Sequence, residues 1–263
     1  MQYEAYQAFI RRLTANLHAD ARVLGLVLLG STASQSRKPD LWSDHDFFVI
    51  TTNGIQEEFR ARFDWLPDHE TIVLTVRETQ HGLKVLYATG HLLEYAVFDL
   101  DEIAVAKAND YAIAFDRGGV EAAMRRIATP QGVRNYSSDS IRRDMGMFLC
   151  LLVVGAGRVA RGEVISGQVF IRTHALGHLL PLLAYMLSAA PDQSRLDNLD
   201  RYRRFEQVFP QIGAEINAAL ARDPIEAALH LLDVYERTLR GIEGFPTEGV
   251  ETTRRFLQRR QCI

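Results

Sequence analysis

Two aspartates one residue apart, in Trp42-Ser43-Asp44-His45-Asp46-Phe47, stand at the mouth of an apolar run, Phe47 to Thr51, that reads as a β-strand. Side chains at i and i+2 of a strand share a face, so Asp44 and Asp46 would present two carboxylates side by side. Such a pair repels unless a cation lies between its members. Hard oxygen donors suit Mg²⁺, which is held by one or two carboxylates together with water and substrate phosphates. Upstream, Leu28-Leu29-Gly30-Ser31-Thr32-Ala33 carries a Gly-Ser pair from another short apolar run, residues 24 to 29, into the start of a helix. There, backbone N–H groups and a hydroxyl can face a phosphate with no side chain in the way. A lone Gly-Ser after a strand is ordinarily a turn, and a lone Asp-x-Asp is ordinarily a solvated turn or a cap. The signal is their combination: strand, Gly-Ser, polar spacer, Ser-Asp-x-Asp, strand. Two carboxylates at the mouth of an apolar strand would be costly without a ligand.

A third carboxylate is offered by His91-Leu92-Leu93-Glu94-Tyr95-Ala96-Val97-Phe98-Asp99. Alternation puts Leu92, Glu94, Ala96 and Phe98 on one face and Leu93, Tyr95, Val97 and Asp99 on the other. Glu94 sits among apolar neighbours in mid-strand, where an isolated buried charge marks function. Asp99 lies where the strand gives way and can simply cap the next turn together with Asp101. Glu94 is the preferred candidate and Asp99 the alternative.

The elements that must position these groups follow from periodicity. Residues 3 to 18 place Tyr6, Phe9, Ile10, Leu13 and Leu17 at helical spacing. Strands are expected at 24–29, 47–51, 71–77, 83–88 and 91–98, the last two as a hairpin around Thr89-Gly90. Short helices follow near 103–107 and 120–127. Ala128-Thr129-Pro130-Gln131-Gly132 carries breaker residues, and the domain boundary is placed there, between 1–130 and 131–263. Beyond it the pattern is almost entirely helical. Ser138-Asp139 can cap a helix reaching about Arg161, and Gly162 can end it. A second helix, 166–189, contains Pro181 and must kink or break. Others are expected near 198–208, 211–221, 224–241 and 248–259. The fold class is therefore α+β: an N-terminal domain with a mixed five-stranded sheet and a C-terminal helical bundle.

Within the helical half, His174 and His178 have the i, i+4 spacing that can hold a metal, but no glutamate follows His174, and packed or cleft-facing side chains are the plainer reading. Arg172 is read as a surface arginine with a triphosphate contact as the alternative, and Tyr235 as core. The chain has 263 residues, 47% hydrophobic and 24% charged, with a net charge of −3. The mild acidity disfavours a polynucleotide partner, which needs clustered Lys and Arg. Only Cys150 and Cys262 are present, so neither a disulfide framework nor a cysteine metal site can be built, and a reducing cytoplasm fits. The densest apolar run, residues 145 to 157, is shorter than the roughly 20 residues of a membrane span, and the N-terminal segment lacks the order of a secretory signal. Basic residues are nearly all arginine, with lysine only at Lys38, Lys84 and Lys107.

Gly30-Ser31-Thr32 and Ser43-Asp44-His45-Asp46-Phe47 together resemble the nucleotidyltransferase superfamily with the DNA polymerase β-type fold, in particular the antibiotic nucleotidyltransferases that modify aminoglycosides and lincosamides. The resemblance is specific for about the first hundred residues and architectural beyond them. It implies that Gly30 and Ser31, with Thr32 and Ser43 in the same cofactor-binding set, hold the phosphates of ATP or another nucleoside triphosphate. It also implies that Asp44, Asp46 and Glu94 serve two Mg²⁺ ions, and that Glu94 is the general base. The implied reaction moves a nucleoside monophosphate, AMP first, onto a hydroxyl of a small molecule and releases pyrophosphate. The cleft between the halves, or between chains of a homodimer, would take the acceptor. The alternative is a regulatory, antitoxin-like protein of the same fold that binds or modifies a protein partner. Minimal members of that kind are short single domains, so the extra helical half argues against it.

Overall fold

The computed structural model describes residues 3–33, 39–129, 137–187 and 193–261. Several expectations fall outside them: the spacer at 34–38, the breaker segment from 130 to 132, the helix end at 188–189, and Cys262. The chain divides into two compact units, Met1–Pro130 and Gln131–Ile263. The first is α+β with a mixed sheet, and the second is helical.

The first unit runs α1 (Tyr3–Ala19), β1 (Val23–Leu29), α2 (Gly30–Ala33), β2 (His45–Thr51), α3 (Gln56–Ala61), β3 (Ile72–Arg77), β4 (Gly82–Tyr87), β5 (Leu92–Phe98), β6 (Tyr111–Asp116) and α4 (Val120–Ile127). The sheet has six strands in the order β3-β4-β5-β2-β1-β6. β2 and β5 pair in parallel and every other neighbour is antiparallel. Five strands were expected, and β6 is the addition. Its residues are all partly exposed except Asp116, which is exposed. As an edge strand paired only with β1, it lacks the buried/exposed alternation by which strands are read. The helix expected near 103–107 is a single 3-10 turn, Glu102–Val105.

Each sheet face has its own core. On one face, Phe9, Leu13 and Leu17 of α1 and Phe59 of α3 pack on Phe47, Val49, Leu93 and Val97. Each such side chain withdrawn from water contributes about 1.5–3 kcal/mol. On the other face, Val120, Ala123 and Met124 of α4 and Ile103 cover Val27, Ile50, Ala96 and Phe98. Asp46 and Glu94 share this second face by alternation. They lie beyond the end of its apolar packing, where β2 and β5 begin.

The second unit contains α5 (Ser138–Ala160), α6 (Val164–Val169), a π-helical turn (Phe170–Ala175), α7 (Leu176–Met186), α8 (Phe205–Val208), α9 (Pro210–Leu220), α10 (Pro224–Leu239) and α11 (Thr247–Gln261). Ser137, one residue earlier than expected, caps α5 by accepting from the Ser140 amide. α10 begins with Asp223 capping two amides and Pro224 in the first turn. α5 and α6 approach at two glycines. A Cβ on Gly167 would meet the Gly155 carbonyl at 2.8 Å, and one on Gly155 would meet Ile171 Cγ1 at 2.6 Å.

The segment around Pro181 shows how a proline is tolerated inside α7. Proline leaves the carbonyl of Gly177, four residues earlier, without its helical donor. Arg201 Nη1 donates to that carbonyl at 2.6 Å, and Tyr202 Oη donates to Thr173 O, also at 2.6 Å. The helix expected over 198–208 forms only at its end, as α8. Asp197 takes the Leu199 amide and Asp200 the Tyr202 amide, and these local bonds compete with a helical turn. Among the described residues no helix is long and apolar enough to cross a membrane.

Candidate functional site at the start of β2 and β5

β1 and β2 pair with Leu29 opposite Asp46, so the chain leaves β1 and enters α2 beside that carboxylate. Gly30 has φ +52°, a left-handed conformation that favours glycine. A Cβ there would lie 3.1 Å from Asp46 Oδ2, so the absence of a side chain lets the Asp46 carboxylate rest against the turn. The Gly30 amide donates to Asp110 O at 3.3 Å. The residues leading into β6, the strand missed in the sequence, thus help to anchor the Gly-Ser turn.

A single buried tyrosine ties this turn to the aspartates. Tyr6 Oη donates to the Asp44 carbonyl at 2.7 Å, which uses its only proton. At its 2.7 Å contact with Thr32 Oγ1 the threonine hydroxyl must therefore donate, leaving Thr32 Oγ1 to accept the Asp46 amide at 3.2 Å. Ser31 Oγ lies 3.4 Å from the same tyrosine oxygen. Burial raises the Tyr6 pKa, and the Asp46 and Asp44 charges push the same way.

His45, between the aspartates, is fully buried and stacks on Tyr6 with ring centroids 3.7 Å apart. Its Nε2 lies 3.2 Å from the Tyr6 carbonyl, which can only accept, so Nε2 carries the proton. In the neutral ring Nδ1 is then an acceptor, and His91 Nε2 donates to it at 2.7 Å. Burial pushes His45 down to about 3, with the neighbouring His91 adding to the shift, and burial pushes His91 down to about 4.

The other sequence candidates take distinct places. Asp44 precedes β2 and is half-buried, so the same-face argument of a regular strand applies to Asp46 alone. Glu94 is the parallel-register partner of Asp46. The expectation of an isolated buried charge is corrected: the Glu94 side chain is 38% exposed, and its Oε1 lies 2.9 Å from Lys84 Nζ on β4. Lys84, Glu94 and Asp46 form one cross-strand row. The Glu94 contact raises the Lys84 pKa. Asp99 is buried at the far end of β5. It accepts from Gln56 Nε2 at 2.6 Å and from the amides of Asp101 and Glu102, which is the capping role. Thr32 spends its hydroxyl inside the fold, and the Ser43 hydroxyl turns back on Asp40, donating to Oδ1 and accepting from the amide. Thr32 thus ties the turn to Asp46, whereas Ser43 shapes the exposed loop that leads to Asp44. Among the described residues no three His, Cys, Asp or Glu side chains are clustered closely enough to hold a metal by themselves.

In the helical unit, His174 is exposed while His178 Nδ1 lies 3.1 Å from Asp144 Oδ1, so the two imidazoles do not act as a pair. Arg172 is taken up by Gln168 and the Arg222 carbonyl, and Tyr235 is core, stacked on Phe148. Sequence reasoning missed four residues around the site: Tyr6, His45, His91 and Lys84. Tyr6 was visible only as part of an apolar helix face. The signal that could have singled it out is a polar tip on a face otherwise made of Phe, Ile and Leu.

The chain matches no model of a known protein family and no curated protein. Among solved structures it is similar to the crystal structure of an aminoglycoside 6-adenyltransferase from Bacillus subtilis, at 12% identity over 96% of this chain and 97% of that one, with a TM-score of 0.37.

Proposed function

We propose that this chain is a magnesium-dependent nucleotidyltransferase that moves a nucleoside monophosphate, AMP from ATP first, onto a hydroxyl of a small molecule of aminoglycoside or lincosamide type. One observation carries the reading: Gly30-Ser31 and the Asp44/Asp46 pair meet at one corner, with Glu94 in register beside Asp46. The donor set fits Mg²⁺. Asp44 and Asp46 offer hard oxygen atoms, that of Asp46 resting against the Gly30 turn, and an ion that keeps its waters and substrate phosphates does not need a closed protein cage. Asp44 and Asp46 would hold Mg²⁺, with Glu94 near by on the next strand, and the ion would supply charge neutralisation for the triphosphate.

The residues of the chain do the rest. Ser31 and the backbone amides of α2 hold the phosphates, and Gly30 leaves them room. The acceptor hydroxyl gives its proton to Glu94 as its oxygen bonds to the α-phosphorus. The bond from the α-phosphorus to the bridging oxygen breaks, and pyrophosphate leaves with that electron pair. Lys84 holds the Glu94 carboxylate on the row that leads to Asp46.

The test is to incubate the protein with Mg²⁺, each nucleoside triphosphate in turn and a panel of aminoglycosides and lincosamides, reading product mass. A gain of one nucleoside monophosphate on one scaffold is expected. Mass gain on a protein substrate alone would replace this reading with the regulatory one, and no transfer from any nucleotide would overturn it.

A further inference from the structure

The side chain that gathers the corner comes from outside the motif. Tyr6 lies on α1, 25 residues before Ser31 and 38 before Asp44 in the chain, yet its hydroxyl contacts Ser31, Thr32 and the Asp44 carbonyl. Its own carbonyl is held by His45, and its ring stacks on that imidazole. The donors and acceptors run one way around a loop: Asp46 amide to Thr32, Thr32 to Tyr6, Tyr6 to the Asp44 carbonyl. The loop therefore closes on both aspartates through three bonds, none of which uses a carboxylate oxygen. Asp44 lies outside β2, so the sheet ladder does not fix it, and the Tyr6 bond to its backbone supplies what the ladder does not.

We propose that Tyr6 is a positioning residue that locks the Gly30–Ala33 turn and the Asp44 backbone into one arrangement before any ligand arrives. That the ligand is a nucleotide rests on the function proposed above; the lock does not. Preorganisation of this kind spares a bound substrate the cost of ordering the site.

Tyr6→Phe keeps the ring, its stacking and α1 packing, and removes only the hydroxyl. Thr32→Val removes the next member of the loop at nearly constant volume. Amide hydrogen exchange of the free protein is expected to quicken about tenfold at residues 30–33 and 44–46 in either variant, the scale of one lost hydrogen bond. Val49 and Val97 in the same sheet should exchange as before. The double variant should lose little more than each single one, because both cut the same loop. Calorimetric titration with Mg²⁺ and ATP should show about tenfold weaker binding for Tyr6→Phe. Unchanged exchange at 30–33 and 44–46, or equal quickening across the whole unit, would overturn the lock. Local quickening in a protein that binds no nucleotide even as wild type would leave the lock standing and remove the nucleotidyl reading instead.

Discussion

Both units use polar side chains to satisfy backbone groups, to different ends: the network of the sheet unit is mostly buried and that of the helical unit lies at its surface. In the sheet unit, Tyr6, Thr32 and His45 sit behind Gly30-Ser31 and Asp44/Asp46, and their bonds converge on residues that face a ligand in the proposed reaction. In the helical unit, the exposed Arg201 reaches the Gly177 carbonyl and makes good what Pro181 takes out of its helix, while the exposed Tyr202 beside it bonds the Thr173 carbonyl. The first network aims side chains and the second repairs backbone. A network of satisfied polar groups therefore does not by itself mark a functional site. What separates the two is whether the satisfied groups lead on to charges placed where a fold has no need of them.

Substitution at the carboxylates should give the largest effect. Asp44→Asn and Asp46→Asn are each expected to cut nucleotide transfer by about 10³-fold, and Glu94→Gln by about 10²- to 10⁴-fold. Thermal unfolding midpoints should stay close to the wild-type value, because none of the three carboxylates serves the packing of the sheet. Full transfer by the Asp44 variant would reduce the sheet unit's network to the same structural status as the other.

The next effect is one of pH. His45 and His91 are neutral in the native state, with pKa values near 3 and 4 against about 6.5 in the unfolded chain. Above about 6.5 both states are neutral there and stability is full. As pH falls below that value the unfolded chain takes up protons that the native protein refuses. Stability should therefore decline by up to about 1.4 kcal/mol per pH unit for each histidine until the native groups titrate. Urea unfolding at pH 7, 6, 5 and 4 measures the slope. A His91→Phe variant, which removes one of the two groups, should show a shallower decline.

The smallest effect belongs to the repair of the helix. Arg201→Met should cost about 1 kcal/mol, the worth of one intramolecular hydrogen bond, without changing transfer by the folded protein. In a Pro181→Ala background the restored amide can serve the Gly177 carbonyl, and the same Arg201 substitution should cost less. A double-mutant cycle in denaturant reads the coupling. No coupling would mean that Arg201 does not stand in for the missing helical donor.

Much of the fold was legible because it rests on local rules. α1, β1 to β5, α4, the helical stretch from α5 to α7 and the helices α9 to α11 follow from period 3.6 or period 2 in apolar residues, and their ends lie within a few residues of those read from caps and breakers. β6 was not legible, since an edge strand partly exposed along its length has no alternation to read. The helix at 198–208 was over-read because propensity does not show that Asp197 and Asp200 turn back on their own backbone. Around the site, residue types named Asp44, Asp46 and Glu94 but mistook the surroundings of Glu94: Lys84 lies ten residues away in the chain and becomes its neighbour only when β4 and β5 pair.

By itself the amino-acid sequence determined which side chains could do chemistry and which segments would be strand or helix, because hydrophobic period and turn chemistry are properties of neighbours along the chain. Only the tertiary structure decided that Glu94 stands in register with Asp46, that Asp99 is a cap, and that Tyr6 closes a loop around both aspartates. Those facts depend on strand order, register and the docking of α1, which bring together groups tens of residues apart, and no local pattern encodes such a meeting.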